Sequence, residues 1–199
     1  MVFDEEGFAW LATSKGLLRF HGNSYKMFPF PRNDEKLLDP SISHLAIVDN
    51  VIWMTLDNGS IWRYNKELNT FSQLKLRDDV VLATKQPFKF IFADHAANIW
   101  FGLKNNGLLI VDSTGTSQKW LSRKIQEFVP LDEFEDMCED ENNDLWLATQ
   151  KGLVFLSSDW ATFSIIRSTK TQETDPLSFS LQNIELDMSG YLWLGTSAH

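Results

Sequence analysis

The side chains with the greatest chemical capacity form a run of carboxylates in the second half of the chain. They are Asp132, Glu133, Glu135, Asp136, Glu139, Asp140 and Glu141. Paired carboxylates act as acid and base only where burial separates their pKa values. In the strands and turns of an acidic protein they more often form a solvated edge, which is our interpretation here. The stretch Asp140-Glu-Asn-Asn-Asp144 lacks the order of a calcium loop, so we predict a turn there.

The histidines and the cysteine suggest no metal site and no catalytic site. The four histidines, His21, His44, His95 and His199, lack metal-ligand spacing, and the single Cys138 cannot form an intramolecular disulfide. Neighbouring negative charge raises a thiol pKa, so we predict a buried, structural cysteine. No Gly-rich phosphate loop, serine elbow or kinase signature occurs. The sequence therefore predicts no catalytic residue, no metal and no cofactor.

Composition narrows the class of protein further. Hydrophobic residues make up 43% of the chain, which is typical of a packed globular protein and excludes disorder over most of its length. The net charge of −9, without a basic cluster, argues against nucleic acid as a partner. The longest apolar stretches, such as residues 80–83, are far shorter than the ~20 residues of a membrane span. The first residues lack the basic and apolar regions of a secretion signal.

A regularly spaced tryptophan marks a sequence repeat along the chain. The five members of a repeat lie 43, 47, 46 and 47 residues apart and are Trp10, Trp53, Trp100, Trp146 and Trp193. A small residue follows each of them by two positions, which we interpret as close approach of a neighbouring sheet. These small residues are Ala12, Thr55, Gly102, Ala148 and Gly195. Such regular recurrence favours core packing over sugar stacking for the five indoles.

Each period predicts four short strands. One strand ends at an acidic turn, one carries the tryptophan, one is opened by a glycine and one holds a late aromatic residue. The opening glycines are Gly16, Gly59, Gly107 and Gly152. Four antiparallel strands in about 45 residues are typical of a β-propeller blade. We therefore predict an all-β fold with the tryptophan strand second from the axis.

The acidic turns are predicted to differ among units. Gly7 and Gly190 supply the positive φ of a hairpin, and Asn143 tolerates the same conformation. Ala97 adopts it less easily, and the second unit has a shorter turn at Asp49-Asn50. We therefore expect the second and third hairpins to depart from the common shape.

The period divides the chain into about four blades' worth of sheet, with the seam in the wrong place for closure. We expect a fragment of a larger propeller, seven-bladed or double. The predicted units are 1–40 (lacking most of its inner strand), 41–84, 85–131, 132–178 and 179–199 (two strands). Charged or Pro-containing segments are predicted to connect the blades at 29–40, 77–87, 122–133 and 168–176. Three tryptophans outside the repeat, Trp62, Trp120 and Trp160, are the better candidates for exposed contacts, although packing is favoured for each.

The repeated motif is most complete from Asp175-Pro-Leu-Ser178 through Asp187-Met-Ser-Gly-Tyr-Leu-Trp-Leu-Gly-Thr196. It recurs as Asn142-Asn-Asp-Leu-Trp-Leu-Ala-Thr149 and as Phe8-Ala-Trp-Leu-Ala-Thr13, each followed by Gly-Leu. This motif resembles the two-component regulator propeller repeat over essentially the whole chain.

The resemblance implies the extracytoplasmic, ligand-sensing part of a membrane-anchored receptor, on the periplasmic side of a bacterial membrane. The output of such receptors is a histidine kinase, often hybrid, or a diguanylate cyclase, and glycan breakdown products are common signals. The implied partners are the remainder of the receptor: further blades, an immunoglobulin-like domain, a membrane helix and a cytoplasmic output domain. A carbohydrate ligand and a homodimer are further candidates. This chain itself lacks those other domains.

Two other functions are compatible with the fold. A protein-interaction platform without a small ligand would show exposed aromatics and an axial funnel without convergent polar groups. A propeller enzyme such as a lyase would need metal ligands or a buried base, neither of which the sequence shows. The fold alone cannot choose among these functions.

Overall fold

The computed structural model describes residues 1–31, 41–77, 87–104, 107–120, 134–150, 152–166 and 180–197. Within these ranges the chain forms five antiparallel sheets, each a meander of consecutive strands. Sheet one contains β1 (Val2–Phe3), β2 (Ala9–Thr13), β3 (Gly16–His21) and β4 (Ser24–Phe28). Sheet two contains β5 (Ile42–Val48), β6 (Val51–Leu56), β7 (Ile61–Asn65) and β8 (Thr70–Gln73).

The remaining three sheets repeat this order. Sheet three contains β9 (Phe88–Ala93), β10 (Ile99–Leu103), β11 (Gly107–Val111) and β12 (Gln118–Trp120). Sheet four contains β13 (Phe134–Glu139), β14 (Leu145–Thr149), β15 (Gly152–Leu156) and β16 (Phe163–Ile166). Sheet five contains β17 (Leu181–Leu186) and β18 (Leu192–Thr196).

The hydrophobic cores lie between consecutive sheets rather than within one. Trp10 of sheet one, for example, packs in one cluster with Met54 and Tyr64 of sheet two. Trp53 of sheet two packs in the same way with Phe101 of sheet three. The first strands β1, β5, β9, β13 and β17 also contact one another in series, so they form the inner edge of the stack. The tryptophan strand is second from this edge, as predicted.

The acidic turns are more uniform than the sequence predicts. In sheets one, three, four and five the turn has one shape, with the aspartate C=O accepting from the N–H three residues later. Ala97 takes the positive φ (61°) that Gly7 has in sheet one, so the expectation that this hairpin differs is wrong. Backbone bonds from Asp94 on both sides of the turn hold Ala97 in that conformation. The second hairpin does differ: Asp49 has φ 50°, and Val48 pairs directly with Val51.

Two sequence assignments change at the residue level. Gly59 lies in the turn with φ 80°, two residues before β7 begins, whereas Gly16, Gly107 and Gly152 start their strands. The predicted connecting segments lie outside the described residues except for 29–31, 77 and 87. No helix that could cross a membrane occurs in the described part of the chain.

Candidate functional site

The five repeated tryptophans differ in how far the next sheet covers them. Trp10, Trp53 and Trp100 are fully buried, Trp146 is half-buried, and Trp193 is 65% exposed on sheet five. Burial follows coverage: sheets two, three and four each cover the indole of the preceding sheet. Only Trp193, on sheet five, presents a largely open indole face among the five.

Four of the five indoles share a hydrogen bond that the sequence reading missed. In each case the indole Nε1–H donates to the carboxylate of the aspartate six residues earlier, at 2.8 Å. The pairs are Trp10 with Asp4, Trp100 with Asp94, Trp146 with Asp140, and Trp193 with Asp187. The constant spacing of six between aspartate and tryptophan is the sequence signal for this bond. The aspartates thus hold the tryptophan strand as well as the turn.

Asp4 illustrates the electrostatics of these turns. Burial raises the pKa of its carboxyl, but hydrogen bonds from Trp10 and the Phe8 N–H, with the charge of Lys66, together hold that pKa below its usual value. The Lys66 ammonium, on sheet two, lies 3.4 Å from the Asp4 carboxylate on sheet one. These aspartates are structural anions whose acceptor capacity is used within the fold.

The carboxylate run is not simply a solvated edge. Glu135 accepts from the Lys89 ammonium at 2.6 Å, and its side chain is only 9% exposed. Glu139 accepts from the ring and the backbone N–H of His95, at 2.5 Å and 2.8 Å. The solvated-edge interpretation is therefore wrong for Glu135 and Glu139, which join sheet four to sheet three. Asp132 and Glu133 lie outside the described residues.

A β-bulge recurs in the inner strand of sheets two to five. The pairing of each inner strand with its tryptophan strand skips one residue, namely Ser43, Lys89, Glu135 and Gln182. The residues that follow are His44, Phe90, Asp136 and Asn183. Bulges re-aim side chains and are common beside functional sites. We call Ser43, His44, Lys89, Glu135, Asp136, Gln182 and Asn183 the bulge row.

The small residue two positions after the tryptophan makes room for an inner-strand residue next to the bulge. Thr55, Gly102, Ala148 and Gly195 pair directly with His44, Phe90, Asp136 and Asn183. A Cβ at Gly102 would overlap the Phe90 ring, and a Cβ at Gly195 would lie 3.3 Å from Asn183 Cβ. Smallness thus makes room for the inner strand of the same sheet, which corrects our interpretation of approach by a neighbouring sheet.

Polar bonds in the bulge row join three sheets. Besides Lys89, Glu135 accepts from Gln150 Nε2 at 2.8 Å, beside the turn that follows β14. Asp136 accepts from Met137 N at 2.9 Å in its own sheet and from Ile184 N at 3.1 Å in sheet five. Side chains of the row therefore set contacts between sheets three, four and five.

Two members of the row on different sheets influence each other electrostatically. Burial raises the pKa of Asp136, and burial lowers the pKa of His44. The charge of each group opposes the shift of the other, although the two lie on sheets two and four. Ammonium, imidazole, carboxylate, amide and hydroxyl groups thus gather on the inner edge. Such a mixed set of donors and acceptors can orient a small polar molecule.

The cysteine and the other histidines named as candidates lie in packed or unclustered surroundings. Cys138 is buried, and burial, then the charges of Asp136, Asp140 and Glu185, raise its pKa to about 12. No three His, Cys, Asp or Glu side chains of the described ranges are grouped as metal ligands. The His21 ring contacts the Phe8 ring at a tilt, with ring centroids 4.9 Å apart, whereas His199 is not described.

The three tryptophans outside the repeat are half-buried. Trp62 packs against the core between sheets one and two, and Trp120 against the core between sheets two and three. Trp160 meets Trp100 edge-on, with centroids 5.2 Å apart, and lies beneath the Lys119 ammonium. A groove of about 360 Å³ lies at the outer rim of sheets one and two. Its lining is Met27, Phe28, Pro29, Pro31, Tyr64, Asn69, Thr70 and Phe71.

Comparison with known proteins identifies the fold. No family model matches the chain, and no curated protein matches it. Among solved structures, the chain resembles the extracellular domain of the putative hybrid two component system BT3049 from B. thetaiotaomicron, with a TM-score of 0.72 and 19% identity. PorZ, a surface component of the type-IX secretion system of Porphyromonas gingivalis, gives 0.71 and 16%. YCF48 bound to D1 peptide gives 0.64 and 11%.

These likenesses confirm the predicted β-propeller fold. They cover 98%, 95% and 95% of this chain, but only 27%, 30% and 57% of the respective solved chains. The chain therefore spans less than a third of the first two structures that it resembles.

Proposed function

We propose that this chain is a ligand-sensing part of the extracytoplasmic propeller of a membrane-anchored signalling receptor, and that it is not itself catalytic. The observation that carries the proposal is the bulge row, whose polar residues lie on the contacting inner strands of four successive sheets. A protein-interaction platform does not need such a polar inner edge. The propeller motif and the likeness to the extracellular domain of a putative hybrid two component system support the receptor context.

The ligand class we propose is a glycan-derived or other small polar molecule. Hydroxyl groups can both donate and accept, so they match a row that contains imidazole, amide, carboxylate and ammonium groups. The signal would arise because a ligand that binds one blade arrangement more tightly shifts the population toward it. The Lys89–Glu135 and Asp136–Ile184 bonds place the row directly at two sheet interfaces. The remainder of the receptor would be the partner that reads this shift.

Calorimetry with a panel of neutral oligosaccharides tests this proposal. A panel member that binds the chain should lose at least tenfold in affinity when His44→Ala removes the imidazole from the row. His21→Ala is the matched control, because His21 lies exposed on β3 of sheet one and away from the row. Binding that His44→Ala leaves unchanged, or heat from none of the panel, would count against the proposal.

A protein-interaction platform is the second candidate, and the groove at the outer rim favours it. Met27, Phe71 and the prolines give that groove an apolar lining, and Asn69 adds a polar group. YCF48, whose fold this chain shares, is bound to a peptide in its structure. The substitution Phe71→Ser would weaken capture of a peptide partner at the groove, whereas His44→Ala would leave such capture unchanged.

A further inference from the structure

One carboxylate of the bulge row, Asp136, pairs with no cation among the described residues. Glu135 is paired with the Lys89 ammonium. Asp136, by contrast, accepts only from neutral donors in the described structure: the N–H groups of Met137 and Ile184 and the side chain of Asn183. Although burial raises the pKa of Asp136, these donors leave its carboxylate without a charged partner among the described residues.

The imidazole of His44 interacts electrostatically with Asp136 from sheet two. Burial lowers the pKa of His44 below its ordinary value of 6.5, which favours the uncharged ring. His44 Nδ1 is 3.1 Å from Thr55 Oγ1, which leaves its other ring nitrogen without a hydrogen-bond partner among the described residues. The chain as a whole carries a net charge of −9, which attracts cations and repels anions.

Asp136 also retains capacity for another hydrogen bond. A carboxylate offers roughly four lone-pair sites, and the three donors among the described residues leave one. Asp136 is partly exposed, and the residue paired with it across the sheet, Ala148, has a small side chain. Hydroxyl and ammonium groups can both donate here, whereas a ligand carboxylate would be repelled. The ammonium gains more, because charge-assisted hydrogen bonds are about twice as strong as neutral ones.

We propose that the bulge row binds its ligand through a primary ammonium group placed on Asp136, and that it discriminates against acidic ligands. His44, Ser43 and Gln182 contact the neutral polar groups of the same molecule. This inference rests on the proposed ligand-sensing function and specifies its chemical class: an amine-bearing small molecule, such as a sugar with a free amino group.

A matched pair of disaccharides tests the inference. Calorimetry compares the glucosamine disaccharide with its N-acetylated counterpart, which has the same rings and linkage but no ammonium, at a pH that keeps the amines protonated. We expect the free amine to bind at least tenfold more tightly to the 199-residue chain. Asp136→Asn should abolish this preference. Glu141→Gln, which removes one negative charge from an exposed turn of the same sheet, should preserve it.

The outcomes separate the inference from the function on which it rests. Equal or tighter binding of the acetylated sugar would overturn the amine preference and leave ligand sensing intact. If neither sugar binds, titration with putrescine decides, with the ¹³C signal of the Asp136 carboxyl observed by NMR. A saturable shift of that signal would support the amine site without a glycan, and an unmoved signal would overturn it.

Discussion

Sheet two differs from the other four sheets in the hydrogen bonding of its repeated tryptophan. In sheets one, three, four and five an aspartate carboxylate accepts the indole N–H. In sheet two the Trp53 indole N–H is fully buried and has no partner in the described structure, and the same is true of the nearby Arg63 Nε–H. An equivalent indole is thus held by a carboxylate in four sheets and by packing alone in one.

The cause is one position in the turn. Val48 faces Val51 across the second hairpin, as Asp4 faces Phe8 across the first, but two residues rather than three separate them. Valine has the size of aspartate without its acceptor. The shorter turn thus removes the carboxylate from the place where Trp53 needs one.

Packing explains why sheet two persists without the bond. The Arg63 guanidinium lies 5.2 Å from the centre of the Trp53 ring, and its Nη1 donates to the Thr114 C=O of sheet three at 2.5 Å. A buried unsatisfied N–H destabilises a fold by about 1–3 kcal/mol. Burying a large aromatic side chain stabilises by a comparable amount or more. The comparison indicates that the buried indole is sufficient for the blade to form, whereas the aspartate adds stability to it.

The largest effect is expected from removing an acceptor that is present. Asp94→Ala should lower the free energy of unfolding by about 2–4 kcal/mol, because it leaves the buried Trp100 N–H unpaired and removes the bonds from Asn98. Urea denaturation at pH 7 measures this loss. Asp187→Ala is the matched control: the same motif is exposed on sheet five, so water can replace the carboxylate and the loss should be clearly smaller. Equal losses would contradict a role for burial.

A smaller effect should follow from adding the missing acceptor. Val48→Asp gives the Trp53 N–H a carboxylate and should stabilise the chain by about 1 kcal/mol. The measurement is the urea midpoint, with the indole ¹⁵N–H signal of Trp53 as a local report on the new bond. Val48→Leu, which adds no acceptor, should not stabilise. A loss of stability in Val48→Asp, with the Trp53 signal unmoved, would show that the lost carboxylate does not explain sheet two.

The smallest effect concerns pH. Hydrogen bonds from Trp193 and the Tyr191 N–H hold the pKa of Asp187 below its usual 3.8, and the pKa of Asp4 is also lowered. A lowered carboxyl pKa gives stability that is present above the unfolded pKa and is lost as pH falls through the folded pKa. The indole N–H signals of Trp10 and Trp193 should therefore move only below about pH 3.8. The Trp53 signal, without a carboxylate partner, should not titrate with them.

Much of the blade could be read from the sequence because its signals are local. The tryptophan interval, the opening glycines at 16, 107 and 152, and the late aromatics each lie within a strand or its adjoining turn. Ala97 shows the limit of this reading. Intrinsic preference disfavours positive φ for alanine, but the backbone bonds of Asp94 and the pairing of β9 with β10 impose it.

The bulge row could not be read in this way. Its bulged residues, Ser43, Lys89, Glu135 and Gln182, share no residue type, and a bulge is a property of pairing between two strands. The small residues after the tryptophans were visible, but their partners were not. Likewise, nothing along the chain links His44 electrostatically to Asp136, since they lie on sheets two and four with sheet three between them.

The sequence by itself determined the blade. It places an indole every 43 to 47 residues, an aspartate six residues before four of the five indoles, and turns between short strands. These features depend on neighbours within a single hairpin. The tertiary structure alone decided which polar groups meet, because Lys89 finds Glu135 and Asp136 finds Ile184 only when separate sheets stack. Short-range sequence pattern defines the unit, and the packing of one unit on the next brings the residues of the candidate site together.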